Sequence, residues 1–92
     1  MVYQLVTSKK FDRSFGKIER NKNFDVDNFL KVVDSLIRGE SLDRKYKNHK
    51  LKGEYAGYME CHLQNDILLI YYYIEKELVL YAVDIGSHSD LF

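Results

Sequence analysis

The 92-residue chain has no proline, a single cysteine, three histidines and no excess of either charge, with 14 Lys and Arg against 14 Asp and Glu. Each shortage excludes something. With no proline, no repeat and no low-complexity stretch, nothing marks a linker, and one domain over residues 1–92 is expected. The lone Cys61 rules out an internal disulfide and a cysteine-based zinc site. That thiol usage suits a reducing cytoplasm. Zero net charge removes any long-range pull on nucleic acid and leaves only local patches. The longest apolar run, Ile67 to Ile74, is too short to cross a bilayer. Lys9, Lys10, Asp12 and Arg13 interrupt any early apolar leader. A cytoplasmic protein with no membrane partner is the expectation.

What is present is a globular composition, 46% hydrophobic and 30% charged, sufficient for one modest core. Val2 to Thr7 is strand-like. Ser8 then suits an N-cap, followed by Phe11, Phe15 and Ile18 at helical spacing. Asn21 to Asn23 reads as a turn. Asp25 caps a second helix with the apolar stripe Val26, Phe29, Leu30, Val33, Leu36 and Ile37, and Gly39 falls at its C-terminal stop. Tyr55 to Leu63 alternates, with Met59, Cys61 and Leu63 on one face and Tyr58, Glu60 and His62 on the other. Asn65-Asp66 is a hairpin turn, and Ile67 to Ile74 reads as a strand covered on both faces. A turn at Glu75 to Glu77, a strand from Leu78 to Ile85 and a short tail complete the chain. The order β-α-α-β-β-β predicts an α+β fold, a two-helix hairpin on a mostly antiparallel four-stranded sheet.

Chemistry concentrates in two polar stretches. From Arg44 to Lys52, five of nine residues are Lys or Arg (Arg44, Lys45, Lys47, Lys50 and Lys52), interleaved with Tyr46 and His49. His62 lies on the polar face of its strand, and His88 follows Gly86 in the tail. Histidine is the side chain best suited to give and take protons near neutral pH. Taken singly, each histidine reads as a solvated residue, Asp66 as a turn former and the basic run as a solvated rim. Their joint occurrence at fixed spacing points further.

The run His49-x-Leu51-x-Gly53, then Gly57-Tyr58, His62, Asp66, Leu69-Ile70-Tyr71 and Gly86-Ser87-His88-x-x-Leu91-Phe92 resembles the YafQ branch of the RelE/ParE toxin superfamily. The resemblance implies a RelE-like fold and a ribosome-dependent endoribonuclease, an mRNA interferase that inhibits translation. It also implies a cognate antitoxin partner, in a heterotetramer where that antitoxin dimerises. By position, His49, His62, Asp66 and His88 would be the acid–base set, with Phe92 near the scissile phosphate. The chain departs from the pattern at Met59 and Asp84, where arginine is common, and at Ile67, where an aromatic is common.

Metal-free RNA cleavage needs a base for the ribose 2′-hydroxyl, an acid for the leaving 5′-oxygen and cations for the phosphorane. His62 or Asp66 as base, His88 as acid and His49 at the phosphate is the expected division. Arg44, Lys45, Lys47, Lys50 and Lys52 would supply cations, and Tyr58 and Phe92 would stack on bases. No cofactor or metal is expected. A site of three histidines with Asp66 ranks low, because no histidine pair sits at close ligand spacing in the sequence. Two alternatives stay open: a catalytically weakened module that binds its antitoxin and autoregulates its operon, and a ParE-like gyrase inhibitor.

Overall fold

Ser8 and Asp25 begin the two long helices by accepting from the backbone three residues on. Ser8 Oγ lies 2.8 Å from Phe11 N and Asp25 Oδ1 lies 3.0 Å from Asn28 N. In the computed structural model, which describes residues 2–92, the chain runs β1 (Gln4–Thr7), α1 (Lys9–Ile18), α2 (Val26–Ile37), β2 (His49–Lys50), β3 (Met59–Gln64), β4 (Ile67–Ile74), β5 (Val79–Gly86) and α3 (His88–Leu91). The sheet order is β1-β5-β4-β3-β2, with β1 parallel to β5 and every other pair antiparallel.

The α+β fold and its order are as the sequence implies, with three corrections. The sheet has five strands rather than four, because two residues of the basic run, His49 and Lys50, pair with Glu60 and Met59. The second expected strand starts at Met59 and not at Tyr55. Ahead of it, Gly53–Tyr55 makes a 3₁₀ turn and Gly57 takes φ 99°, a conformation side chains resist. The tail is helical: Ser87 and Asp90 form a reciprocal capping box that starts α3.

The main core fills the space between α1, α2 and one sheet face, with Phe11, Phe29, Leu36, Leu63, Leu69 and Tyr71 among its buried members. On α2 the buried stripe is Phe29, Val32, Val33 and Leu36, while Val26 and Leu30 are exposed. A second, smaller cluster of Leu68, Ile70 and Leu91 covers the outer face, with Leu51, Tyr58 and Val83 packed on it. Hence β4 is buried on both sides, which is why its sequence does not alternate. Burying Leu91 contributes about 1.5–3 kcal/mol. That contact holds a four-residue helix far too short to persist alone. Among the described residues no helix is long and apolar enough to cross a membrane.

Candidate active site

Alternation along β3 sends Cys61 and Leu63 into the main core and leaves Glu60 and His62 on the outer face. His49 stands opposite Glu60 in the β2–β3 ladder and so shares that face. The outcome is a shared carboxylate. His49 Nε2 lies 3.3 Å and His62 Nε2 3.5 Å from the same oxygen, Glu60 Oε1, with the two rings 6.2 Å apart. Glu60 is only 5% exposed. A carboxyl group at that depth needs hydrogen-bond partners, and the two imidazoles are the side chains placed to be them. On the far side of its ring, His49 Nδ1 is 2.6 Å from the Lys47 carbonyl. A carbonyl only accepts, so Nδ1 carries the hydrogen and Nε2 is the atom that exchanges protons toward Glu60.

His88 and Asp66 form a second group. Asp66 closes the β3–β4 turn in a left-handed conformation, φ 49°, and its Oδ1 accepts from His88 N at 3.3 Å. Asp66 thereby steadies the first turn of α3. The His88 ring sits 5.1 Å from Phe92, which meets Tyr55 edge-on at 5.1 Å. Among the described residues, no hydrogen bond, ion pair or ring contact joins this group to His49, Glu60 and His62. The expected constellation is therefore two separate sets, and the carboxylate shared by His49 and His62 is Glu60 instead of Asp66.

A polar hollow of about 560 Å³ borders both sets, with Lys45, Lys47, His62, Asn65 and Asp66 in its lining. The basic run thus divides. Lys45 and Lys47 reach the hollow; Arg44, Lys50 and Lys52 are exposed and do not line it. Lys50 follows His49 along β2 and so takes the opposite face. Tyr58 is half-buried and stacks on Tyr72 at 5.4 Å, which stacks on Tyr81 at 5.2 Å. Phe92 is 44% exposed and open to a ligand.

The three departures fall away from the shared carboxylate or are neutralised. Met59 and Ile67 pack against the main core. Asp84 is buried, with Oδ1 2.9 Å from Ile85 N and Oδ2 3.4 Å from Lys10 Nζ, so its charge is matched locally. Burial, with Glu60 beside it, pushes the Cys61 thiol up to about 12, which makes it an inert core residue. The capacity for metal is larger than the sequence implied: ligand atoms of His49, Glu60 and His62 lie within 4.8 Å of one another. Thirteen positions separate the histidines in the chain, and the β2–β3 ladder closes that gap. Two imidazoles and a carboxylate suit zinc or copper.

Sequence reasoning missed Glu60 as a site residue, having read it as one more polar residue on a wet face. The signal available was its place midway between His49 across the ladder and His62 two residues on.

The model of the family described as "Bacterial toxin of type II toxin-antitoxin system, YafQ" matches residues 3–92. The mRNA interferase toxin YafQ of Escherichia coli K12 is 32% identical over 78 residues, covering 83% of this chain and 82% of that protein. A crystal structure of a metal-bound toxin from Helicobacter pylori is 42% identical, with TM-score 0.89 and full coverage of both chains. The toxin chain of the E. coli DinJ-YafQ toxin-antitoxin complex has the same fold, with TM-score 0.85 at 24% identity, covering 100% of this chain and 99% of that one.

Proposed function

We propose a reaction for this chain from a fixed premise: it belongs to the YafQ family, bacterial toxins of type II toxin–antitoxin systems. The reaction is cleavage of translated mRNA on the ribosome, without metal, by histidine and carboxylate proton transfer. The convergence of His49 and His62 on one buried Glu60 oxygen carries this reading. His62, backed by Glu60, takes the proton of a ribose 2′-hydroxyl. The 2′-oxygen attacks phosphorus, the P–O5′ bond breaks, and His88 protonates the departing 5′-oxygen. The products are a 2′,3′-cyclic phosphate and a 5′-hydroxyl, and the required 2′-hydroxyl makes DNA inert.

His49 polarises the phosphate with Lys45 and Lys47, Asp66 orients α3, and Phe92 stacks beside His88. Arg44, Lys50 and Lys52 contribute to ribosome attraction rather than to the reacting phosphate. A divalent ion on His49, Glu60 and His62 would supply Lewis acidity, and it would occupy the lone pairs that this proton transfer uses. The partner is an antitoxin with a segment that folds onto the toxin, in a heterotetramer if the antitoxin dimerises. Lys10 beside Asp84 speaks against a weakened module, since no unmatched negative charge is added at the site. A gyrase inhibitor would have no use for a carboxylate shared by two imidazoles.

Induction in a bacterial host, alone and with the neighbouring gene, followed by mapping of mRNA ends tests the proposal. Growth arrest with cuts inside codons, abolished by His62→Ala and by His88→Ala and relieved by the neighbouring gene, is expected. Arrest with intact mRNA and DNA-damage signalling would move the case to gyrase, and no arrest at all would leave only the binding module.

A further inference from the structure

His49 depends on a poorly anchored piece of backbone. It belongs to a two-residue strand at the sheet edge, with only two ladder pairs, and such a pairing does not hold itself in place. The preceding turn contains Lys47 at φ 48°, a left-handed conformation that a non-glycine residue resists and that persists only where the surroundings impose it. The Lys47 carbonyl is the group that fixes the His49 ring, at 2.6 Å from Nδ1. If that residue relaxes toward an ordinary conformation, the carbonyl turns away and the hydrogen is no longer confined to Nδ1.

Two tyrosines bracket this residue. On one side Tyr46 is buried and donates to Asn28 Oδ1 at 2.8 Å, which ties the chain to α2. On the other, Tyr71 reaches out of the main core and donates to Asn48 Oδ1 at 2.6 Å. Tyr71 is 1% exposed, does not line the hollow and, among the described residues, makes no hydrogen bond to the shared carboxylate. We propose that Tyr71, acting through Asn48, is a positioning residue for His49, locking the Lys47 turn so that the imidazole presents Nε2 to Glu60 in a single tautomer.

Two observations support this. Among the described residues the phenol is the one hydrogen-bond partner of the Asn48 side chain, and removing its oxygen frees the residue between Lys47 and His49 without touching either. Burial also pushes the phenol well above the ordinary tyrosine range, so the hydroxyl remains a donor at any pH where the toxin works.

The inference rests on the proposed role of His49, and the test separates the two. Tyr71→Phe is compared with Tyr73→Phe, a same-strand control whose hydroxyl donates to Leu36 O at 2.7 Å, away from the site. In Tyr71→Phe, nitrogen-detected NMR should show His49 changing from a single Nδ1–H tautomer to a mixture, and kcat for mRNA cleavage should fall about tenfold with KM nearly unchanged. Asn48→Ala should reproduce the NMR change with the core intact, which covers the case of a poorly folded Tyr71→Phe. Tyr73→Phe should alter neither reading. An unchanged His49 tautomer in both Tyr71→Phe and Asn48→Ala, or the same change in Tyr73→Phe, overturns the proposal. Wild-type protein that cuts no RNA would sink the proposed reaction, while the tautomer comparison would still decide the positioning.

Discussion

Replacing Glu60 by glutamine should separate activity from stability, because the charge it removes serves one at the expense of the other. Hydrogen bonds to a charged group contribute about 1.5–3 kcal/mol each when short and enclosed. The contacts of His49 and His62 with Glu60 Oε1 are 3.3 and 3.5 Å long, from imidazoles whose side chains are 47% and 36% exposed. Solvent screening reduces each to about 1 kcal/mol. Losing both then removes about 2 kcal/mol of support for the two imidazoles, roughly a 30-fold drop in cleavage rate. Stability should move little or upward, since the amide keeps the shape of the side chain and relieves a buried charge. Transcript cleavage and growth arrest report the first effect, and thermal unfolding of purified protein reports the second. A variant that arrests growth as fast as wild type would show that Glu60 only fills space. A midpoint lower by more than about 5 °C, from a loss near 1 kcal/mol, would show the carboxylate to be structural.

Zinc or copper should inhibit cleavage by occupying His49, Glu60 and His62, and a chelator should restore it; activity lost on chelation would instead make the ion essential. Lys45→Ala with Lys47→Ala should lower the cleavage rate at saturating ribosomes, whereas Lys50→Ala, on the opposite face, should weaken ribosome binding and its salt dependence without changing that rate. Equal effects from the three lysines would remove the hollow from the reaction. Burial pushes the Tyr73 phenol up to about 12, and Tyr71 is raised as well. Groups with a raised folded value contribute stability below the unfolded value of about 10 and lose it as pH rises through the folded one. Denaturant midpoints should therefore fall between about pH 10 and 12 as phenolate absorbance grows, and a flat profile there would contradict the burial argument.

Much of this fold could be read from spacing alone. Ser8, Asp25 and Gly39 mark helix ends because capping is local chemistry, and Met59, Cys61 and Leu63 mark a buried face because strand alternation is local geometry. What escaped depends on tertiary partners. The strand at His49 and Lys50 is too short for any periodicity, and it exists because Glu60 and Met59 lie beside it. Val26 and Leu30 carry the right spacing for the core, but the sheet beneath α2 meets Val32 instead. Glu60 looked solvated because nothing nearby in sequence announces that Leu91 returns to form a second cluster on that side. The Ser87-x-x-Asp90 box is a legible sign of capping, but the segment is too short to show an apolar stripe that would extend it into α3. At the site, the residue types were legible and their grouping was not, since which carboxylate meets which imidazole is decided by ladder register.

The parallel pairing of β1 with β5 has a consequence for the order of events during synthesis. Gln4 lies beside Val79, so the first strand made waits for the last before it gains a neighbour. That leaves the sheet open until β5 has been made, a topology of slow, non-local closure. Closure of the sheet therefore comes late, and His88, which follows β5, reaches its place only with it.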